Sequence, residues 1–449
     1  MRSVSIVGAG LAGSLMALFL AKRGCKVKLY EYRPDLRITP IESNRSINLA
    51  LSCRGLTALQ DAGLDAKVRQ LMVPMRARII HEISGEIVYQ PFGRHEEECI
   101  NAIERNALNK LLLNELDTYP LVKCYFDTKL VNLNLAEKQL IFQNQKGQFT
   151  QHDYDVFIGA DGAHSLVRAC LQQQKLIDFK QTFFTHGYKE LTICRAHQTV
   201  FDKESLHLWP RKSFSLLGNP NLDGSITGSL FLPYKGQVSF ESLTSEAQLL
   251  ACFNKYFNDV CGLMPSLIDE FFTHPMGTMS RIDCKPWFIA GQGVLLGDAA
   301  HGIIPFFGQG MNSAFEDCRI LNTLLDEYDE NWQQVLPMFY HLRKPNTDAV
   351  AKMSEDNFHE VQEAVCSAQF NNKKRLAQLL MQRYPKRYIS KHVLVMFTNT
   401  PYSQAQKIGQ IQENFLKDIM SDNLDLNTLN WQKVDQMMLD YDKKMADFL

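Results

Sequence analysis

The stretch from residue 4 to residue 31, "VSIVGAGLAGSLMALFLAKRGCKVKLYE", constrains the fold more than any other part of the chain. A short run rich in β-branched residues, Val4 to Val7, leads into a glycine turn, and apolar residues then recur at helical spacing. Gly24 suits the end of that helix, and a second alternating run ends at Glu31. The pattern predicts a β-α-β unit with parallel strands, and therefore an α/β protein.

The turn itself, "GAGLAG", has the spacing of a dinucleotide-binding motif. Gly8 permits the tight turn, Gly10 lets the backbone approach a pyrophosphate, and Gly13 lets the helix pack closely on the strand. The helix N-terminus then offers free N–H groups to the phosphates. Glu31, at the end of the second strand, can accept hydrogen bonds from ribose hydroxyls. The alternative is an ordinary glycine turn, and the motif alone does not distinguish NAD from FAD.

A second glycine–acid turn follows a predicted strand in "DVFIGADGAHSLVR", residues 155–168. The strand leads into Asp161 and Gly162, and Arg168 follows on a predicted helix. Two interpretations stay open at this point. Asp161 either caps that helix or contributes to a nucleotide site.

The third such turn lies in "LLGDAAHGIIPFFGQGMN", residues 295–312. Asp298 can accept a hydrogen bond from a sugar-alcohol chain, and glycines at 308 and 310 let backbone N–H groups reach the edge of a ring. A helix that begins near Gly310 would direct its positive end at a site where negative charge collects. The alternative is a strand end followed by a helix cap, and His301 is interpreted as structural.

Composition limits the classes of function. The chain has 449 residues, of which 45% are hydrophobic and 22% are charged, as in ordinary globular proteins. A net charge of −1 predicts no nucleic-acid partner, and eleven cysteines without a CxxC pair indicate reduced thiols in the cytoplasm. The sequence shows no metal-ligand spacing, no signal peptide and no apolar run of about 18 residues, so neither a metal nor a transmembrane segment is expected.

The coarse pattern predicts both elements and domains. Helices are predicted over 54–71, 104–117 and 246–273, and from 308 onward. Strands are predicted over 76–93 (joined at Ser84-Gly85), as a meander over 121–158, and over 186–234. We expect a discontinuous nucleotide-binding domain of 1–75, 98–175 and 275–325, a domain of 76–97 and 176–274 inserted into it, and a helical region of 326–449.

The three turns together resemble single-component FAD monooxygenases with the fold of p-hydroxybenzoate hydroxylase. The chain is also similar to the kynurenine 3-monooxygenase family over roughly residues 2–405. The strings that carry this similarity are "RSINLALSCRG" (45–55), "PMRARIIH" (74–81), "HGYKELTI" (186–193), "LHLWPR" (206–211) and "GDAAHGIIPFFGQGMNSAFEDC" (297–318). The resemblance implies an α/β fold with a Rossmann-like FAD-binding domain, an inserted mixed β-sheet substrate domain and a C-terminal helical region.

The resemblance also implies a reaction. In that family FAD is reduced by NADPH and reacts with O2 to a C4a-hydroperoxide, which hydroxylates L-kynurenine to 3-hydroxykynurenine in tryptophan breakdown or NAD synthesis. The preference for NADPH comes from the family and not from residues of this chain. Other hypotheses stay open: a monooxygenase for another anthranilate-like or phenolic acid, a flavin-binding regulatory or electron-transfer protein, and an NAD-dependent dehydrogenase.

Site residues follow from the resemblance, position by position. Arg78 would hold the substrate carboxylate, Asn357 and Glu360 would lie at the amino acid end, and Tyr402 would donate to the carboxylate. The ring would be walled by Phe231, Pro305, Phe306 and Phe307. The FAD residues would be Gly8, Gly10, Ala12, Gly13, Glu31, Arg33, Ala50, Arg105, Leu130, Asp161, Asp298, Met311 and Asn312.

Each substrate residue also has a simpler interpretation. Arg78, like Arg76, could be a surface charge, and Asn357 could satisfy backbone groups of a helix. Tyr402 could be a packed loop residue, and the four wall residues could belong to the hydrophobic core. The chain also departs from the family in two places. Phe92 stands where the family usually has a tyrosine that can donate to the carboxylate. The chain ends in "DKKMADFL" without the apolar anchor of eukaryotic relatives, so a soluble bacterial-type form is expected.

Overall fold

The computed structural model describes residues 3–39, 48–194, 201–363, 368–420 and 426–448. Its strands are β1 (Ser3–Val7), β2 (Lys26–Tyr30), β3 (Asn48–Leu51), β4 (Met72–Met75), β5 (Ala77–His81), β6 (Ile87–Pro91), β7 (Ile100–Glu104), β8 (Val122–Tyr125), β9 (Thr128–Asn134), β10 (Gln139–Asn144), β11 (Phe149–Asp153), β12 (Val156–Gly159), β13 (Asp178–Ile193), β14 (Ser205–Arg211), β15 (Phe214–Pro220), β16 (Ile226–Pro233), β17 (Gly277–Lys285), β18 (Phe288–Ile289) and β19 (Gly293–Leu295).

Its α-helices are α1 (Leu11–Lys22), α2 (Cys53–Asp61), α3 (Asp65–Arg69), α4 (Arg105–Leu116), α5 (Leu166–Gln173), α6 (Glu246–Tyr256), α7 (Asn258–Cys261), α8 (Leu267–Thr273), α9 (Asp298–His301), α10 (Gly310–Glu327), α11 (Trp332–Glu363), α12 (Ala368–Arg383), α13 (Lys391–Phe397), α14 (Tyr402–Ile419) and α15 (Trp431–Met445). Short 3-10 helices cover Pro305–Phe307, Leu426–Thr428 and Ala446–Phe448. The helix predicted over 54–71 is split into α2 and α3 by Gly63, whose φ is +76°.

A six-stranded sheet contains the predicted β-α-β unit. Its order is β18-β19-β12-β1-β2-β8, and every neighbouring pair except β18–β19 is parallel. The strand β1 is buried along most of its length, as expected for a parallel sheet covered on both faces. Only β9, β10 and β11 form the predicted antiparallel meander, because β8 and β12 pair with β2 and β1 instead.

A seven-stranded mixed sheet has the order β17-β13-β16-β15-β14-β5-β6. The strands β5 and β14 are parallel, and β5 and β6 form the predicted hairpin around Gly85, which has a φ of +88°. The structure places β17 in this sheet, paired with β13, although the predicted boundary assigned 275–325 to the FAD-binding domain. The division into three domains stays a prediction.

The helices α11 to α15 pack around a second apolar core that includes Leu376, Val395, Tyr402 and Met438. This core also takes in Phe92 and Phe307, so the C-terminal helices contact the sheet region directly. Among the helices of the described residues, none combines the length and the apolar composition needed to span a bilayer.

Candidate active site

Four turns lie side by side at the carboxyl end of the parallel sheet. The strands β19, β12, β1 and β2 are consecutive neighbours, so the turns that follow them, at Asp298, Asp161, Gly8 and Glu31, meet at one edge. Two of the turns are in direct contact, since a Cβ atom on Gly8 would lie 2.4 Å from the carbonyl oxygen of Ala160. The three glycine–acid turns predicted from the sequence therefore share one site.

The first turn has the geometry that a pyrophosphate-binding motif requires. Gly8 has a φ of +104°, a conformation that favours glycine. A Cβ atom on Gly13 would lie 1.9 Å from the carbonyl oxygen of Gly8, so the helix packs too closely on the strand for any side chain. A Cβ atom on Gly10 would meet no protein atom within 4 Å, so the N-terminus of α1 faces open space. These residues fit the phosphates of FAD.

Glu31 closes this turn from the neighbouring strand. Its Oε2 accepts the backbone N–H of Ala9 at 2.9 Å, and its Oε1 accepts Arg33 Nε at 2.8 Å. The hydrogen bond that Arg33 donates to Glu31 raises the pKa of the Arg33 guanidinium. Asn109 on α4 supports the same turn, because its Nδ2 donates to the carbonyl oxygen of Ala9 at 3.1 Å. The contact of Glu31 with a ribose stays a prediction.

Asp161 accepts hydrogen bonds at the N-terminus of α5. Its carboxylate accepts the backbone N–H groups of Leu166 and Val167 at 2.7 and 3.1 Å, and the hydroxyl of Ser165 at 2.5 Å. Burial raises the pKa of the Asp161 carboxyl, although these hydrogen bonds act in the opposite direction. The N-cap residue of α5 is Ser165, whose Oγ accepts the N–H of Arg168 at 2.9 Å, so the prediction of Asp161 as the cap residue is wrong. A contact of Asp161 with FAD or NADPH stays a prediction.

Arg168 connects the second turn to the third. Its guanidinium donates to the carbonyl oxygen of Ala163 at 2.6 Å and to that of Ala299 at 2.8 Å. Asp298 is exposed and makes no hydrogen bond to any residue that the structure describes. Its carboxylate is thus accessible at the edge of the sheet, beside Gly297, whose φ is +57°.

The turn at 308–310 rests against β3. Gly308 has a φ of +60°, and a Cβ atom there would lie 3.2 Å from the Cβ atom of Ala50. Asn312 Nδ2 donates to the carbonyl oxygens of Ala50 and Gly308 at 2.8 and 2.9 Å, while its Oδ1 accepts the N–H of Ser52. The predicted residues Ala50 and Asn312 are therefore brought together, next to the half-buried Met311.

Three other predicted FAD residues have less direct support. Ala12 lies in the first turn of α1, 3.6 Å from the position of a Cβ atom on Gly297. Arg105 begins α4 and is exposed. The side chain of Leu130 is 2% exposed and packs in the main core, so only its backbone is available to a ligand. The contacts of these residues with FAD stay predictions.

Aromatic side chains form a wall just before the 308–310 turn. The ring centroid of Phe306 lies 4.8 Å from that of Phe231 and 4.7 Å from that of Phe358. Tyr188 extends the wall, 5.8 Å from Phe231. Asn357 Nδ2 donates to the carbonyl oxygen of Phe306. The structure therefore brings the predicted residues Phe231, Phe306 and Asn357 together, and it adds Phe358 and Tyr188.

A second aromatic group surrounds His392. Its ring centroid lies 5.8 Å from that of Phe92 and 6.4 Å from that of Phe307, and both phenylalanines are buried. The predicted wall residue Pro305, in contrast, is exposed at the start of its 3-10 turn. Phe307 and Pro305 therefore have different environments, although they are two residues apart.

Arg78 on β5 forms a cationic end to this region. Its guanidinium lies 5.8 Å from the ring centroid of Phe92, and its buried Nε has no hydrogen-bonding partner among the described residues. Burial lowers the pKa of Arg78, while the charge of Glu360 acts against that shift. Lys374 Nζ lies 3.8 Å from Glu360 Oε2, and burial also lowers the pKa of Lys374. Two cations facing one carboxylate leave a net positive charge.

The neighbouring histidine stays neutral. Burial lowers the pKa of His392 to about 3, and the charges of Arg78 and Lys374 act in the same direction. Its Nε2 is buried and lacks a partner among the described residues. These side chains keep some accessible surface, so they line a recess rather than a packed core. We call Arg78, Glu360, Lys374 and His392 the cationic recess.

Tyr402 has an environment that differs from the predicted one. It is fully buried, its hydroxyl donates to Gln309 Oε1 at 2.8 Å, and the Arg54 guanidinium lies 3.8 Å from its ring centroid. A hydroxyl that already donates to a protein acceptor is not free to donate to a substrate carboxylate. The geometry therefore does not support the predicted role of Tyr402, and the C-terminal side chain beside Arg78 is His392.

A set of paired charges lies behind the turns, and we call it the ion cluster. Arg343 donates to Glu316 Oε2 at 2.5 Å and to Asp317 Oδ1 at 2.7 Å. Arg54 donates to the other oxygen of Glu316 at 2.7 Å, and His301 Nε2 lies 2.5 Å from Asp317 Oδ2. Burial would raise the pKa values of both carboxyls, but the neighbouring cations outweigh it and lower them.

Several of these residues carried no signal in the sequence. Lys374 belongs to a basic run that is typical of a solvated helix face, and His392 is a lone histidine in a helical region. Asn109 lies on a predicted amphipathic helix that contains no motif. Only the packing of the C-terminal helices in one core with Phe92 brings Lys374 and His392 towards Arg78.

Known proteins agree with this geometry. Residues 1–214 match the family model described as an FAD binding domain. The fold is similar to the tetrameric form of 2-methyl-3-hydroxypyridine-5-carboxylic acid oxygenase (TM-score 0.66, 20% identity, 84% of this chain and 96% of that one). It is also similar to PqsL of Pseudomonas aeruginosa, a probable FAD-dependent monooxygenase (TM-score 0.65, 18% identity, 83% and 98%). These neighbours show the fold, and the match to an FAD binding domain agrees with the position of the glycine–acid turns.

Curated relatives are more specific. The kynurenine 3-monooxygenase of Legionella pneumophila (strain Corby) is 52% identical over 449 residues, 100% of both chains. That of Myxococcus xanthus is 40% identical over 93% of this chain and 90% of its own. The chain belongs to the kynurenine 3-monooxygenase family.

Proposed function

We propose that the protein hydroxylates L-kynurenine to 3-hydroxy-L-kynurenine with NADPH and O2 as co-substrates and FAD as cofactor. Membership of the family supports the reaction. The single observation that carries the proposal is that Phe306 in the aromatic wall and Phe307 beside His392 are consecutive residues just before the 308–310 turn. L-Kynurenine has a matching form, since an aromatic amino ketone is joined to an amino acid group.

The substrate would be oriented by its two ends. A carboxylate entering the recess would meet the guanidinium of Arg78, whose planar fork suits a bidentate pair. Lys374 would add charge without a fork, and Glu360 would accept from the substrate ammonium group. Phe231 and Phe306 would then hold the aromatic ring beside the 308–310 turn.

The protein residues bind and orient the substrate and exclude water. FAD, when bound, would accept the hydride of NADPH and activate O2, from which the transferred oxygen atom comes. Gly8, Gly10 and Gly13 would hold its pyrophosphate, and Asp298 would accept from its ribityl chain. The dry aromatic wall favours hydroxylation, because water near the reacting centre diverts oxygen to hydrogen peroxide.

The test uses the purified protein with FAD. We expect a yellow protein that oxidises NADPH in the presence of L-kynurenine, with 3-hydroxykynurenine identified by mass. NADH is measured in parallel, because nothing in the site determines the choice of nicotinamide. A flavoprotein that forms no hydroxylated product from L-kynurenine would contradict the proposal.

A second candidate substrate is another anthranilate-like or phenolic acid. It is favoured by Phe92, which removes a donor that the family usually supplies, and by the neutral His392. A panel of anthranilate, phenolic acids and the kynurenine analogue without the carboxylate separates the two candidates. Faster turnover of anthranilate than of L-kynurenine would support the second one.

A further inference from the structure

Gln309 is a buried link between the 308–310 turn and the C-terminal helices. Its side chain is fully buried, its Oε1 accepts the Tyr402 hydroxyl at 2.8 Å, and its Nε2 donates to Met396 Sδ at 3.2 Å. Ser52 Oγ lies 3.4 Å from the same Oε1. One side chain of the turn is therefore held by α13, by α14 and by the residue before α2.

Tyr402 is itself fixed on the other side. Its ring lies against the Arg54 guanidinium, which donates to Glu316 Oε1 and to the carbonyl oxygen of Thr400. Burial raises the pKa of the Tyr402 hydroxyl, so it remains protonated and can donate to Gln309 at any pH near neutrality.

The ion cluster extends this connection to the turn at Gly297. Asp317 Oδ2 accepts the backbone N–H of Gly297 at 3.2 Å and lies 2.5 Å from His301 Nε2. The turns at 297–298 and 308–310 are thus supported by one continuous set of buried polar groups. Tyr402 and Gln309 form the part of that set that reaches the 308–310 turn.

We propose that Tyr402 is a positioning residue for the flavin. Through Gln309 it would fix the backbone N–H groups of the 308–310 turn against the edge of the flavin ring, and so align that ring with the wall at Phe306. The inference rests on the proposed placement of the flavin at this turn. A displacement of about 1 Å in such a site is enough to reduce a rate strongly.

The test is Tyr402→Phe, which keeps the ring under Arg54 and removes only the hydroxyl. We expect FAD to stay bound and the KM for L-kynurenine to change by less than about twofold, because uniform binding is untouched. The share of NADPH that yields hydroxylated product should fall several-fold, with a matching rise in hydrogen peroxide. The visible spectrum and the midpoint potential of bound FAD should shift, because the donors at the ring edge move.

Tyr441→Phe is the matched control. Tyr441 is 2% exposed in α15, and its hydroxyl accepts Gln412 Nε2 at 3.2 Å, far along the chain from the turn. This variant also removes one tyrosine hydroxyl from the C-terminal helices. The share of NADPH that yields hydroxylated product, the flavin spectrum and the midpoint potential should remain those of the unaltered protein.

Gln309→Met provides a second variant, since it removes the acceptor at similar volume. If the two side chains act as a pair, the double variant should show the spectrum and coupling of either single variant. Additive changes would overturn the proposal, as would a Tyr402→Phe variant with a KM raised about tenfold and normal coupling, which would indicate a substrate contact. Unchanged behaviour of both single variants would also overturn it. Failure of the unaltered protein to bind FAD would contradict the proposed function instead.

Discussion

The ion cluster is buried, whereas the cationic recess is partly open, since the side chains of Lys374 and Glu360 are 49% and 35% exposed. The pKa values of Arg343 and Arg78 are shifted in opposite directions. In the cluster, burial opposes the charge of Arg343, but Glu316 and Asp317 outweigh it and raise its pKa. In the recess, burial dominates and lowers the pKa of Arg78, and Glu360 only partly compensates. Arg343 uses Nε and both terminal nitrogens as donors, whereas Arg78 Nε has no partner among the described residues.

This difference distinguishes a cluster that stabilises the fold from a cluster that can bind a ligand. A buried charge without a partner is unfavourable, so it persists where a ligand can supply the partner. Arg343 has no such vacancy, because its Nε and both terminal nitrogens donate within the ion cluster, and the loss of Arg343 would therefore act on the fold. The comparison therefore predicts that the two clusters respond to mutation through different measurements.

The largest effect is expected from Arg343→Met. It leaves Glu316 and Asp317 buried with a missing cation, and removing one partner of a buried pair lowers the free energy of unfolding by about 3–5 kcal/mol. Chemical denaturation measures this. The control is Arg69→Met, which breaks an exposed pair with Asp65 and should lower that free energy by about 0.5 kcal/mol. Equal losses in both variants would remove the distinction between the clusters.

Arg78→Ala should act on binding instead. The KM for L-kynurenine should rise about 100-fold, the size expected for a buried charge pair, while FAD stays bound. The melting temperature should stay constant or rise, because an unpaired buried cation is removed. Arg76→Ala is the control, since Arg76 is two residues earlier and pairs with Glu204 near the surface. A melting temperature that falls with an unchanged KM would assign Arg78 to the fold.

The flavin edge could be predicted from the sequence because its signals are local. Gly8 has the positive φ of the predicted tight turn, Gly13 has the predicted close contact of helix and strand, and a Cβ atom on Gly10 would face open space. The strand ends at Glu31 and Asp298 could be predicted too, since parallel strands bring their carboxyl ends to one edge.

The recess could not be predicted in the same way. Its members come from β5, α11, α12 and α13, and no short motif records how those elements pack. Tyr402 and His392 are ten residues apart in the same helical region, so the sequence did not indicate which one meets Arg78. Tyr89, three residues before Phe92, carries a hydroxyl. Its side chain is 59% exposed on β6, so it does not take the place of the tyrosine that Phe92 replaces.

A smaller effect is expected from Phe92→Tyr, which adds a donor beside Arg78. A hydrogen bond to a charged group contributes about 1.5–3 kcal/mol, and part of that is offset by burial of the hydroxyl, so the KM should fall about three- to tenfold. Steady-state kinetics measure the change, with Tyr89→Phe on β6, three residues before Phe92, as the control. An unchanged or higher KM would indicate that the carboxylate does not approach Phe92.

The smallest effect concerns the pH dependence of stability without substrate. The pKa of His392 in the folded protein is lowered to about 3, below the ordinary value of about 6.5. The unfolded chain therefore binds the proton more readily between these values, so the free energy of unfolding falls as the pH decreases below about 6.5. The lowered pKa values of Glu316 and Asp317 affect stability at lower pH than His392 does. Their stabilisation is complete above about pH 4.5, and it is lost only as the pH falls through the pKa values of the two carboxyls in the folded protein.

The recess and the ion cluster should thus lose stability in different pH ranges. His392→Gln should flatten the melting temperature between about pH 6.5 and 5, while the decline below about pH 4 remains. His95→Gln, at an exposed position, should leave both parts of the profile unchanged. Identical slopes for His392→Gln and the unaltered protein above pH ~5 would mean that His392 titrates normally. The recess would then be open to water rather than desolvated, and the unpaired state of Arg78 would no longer indicate a missing ligand.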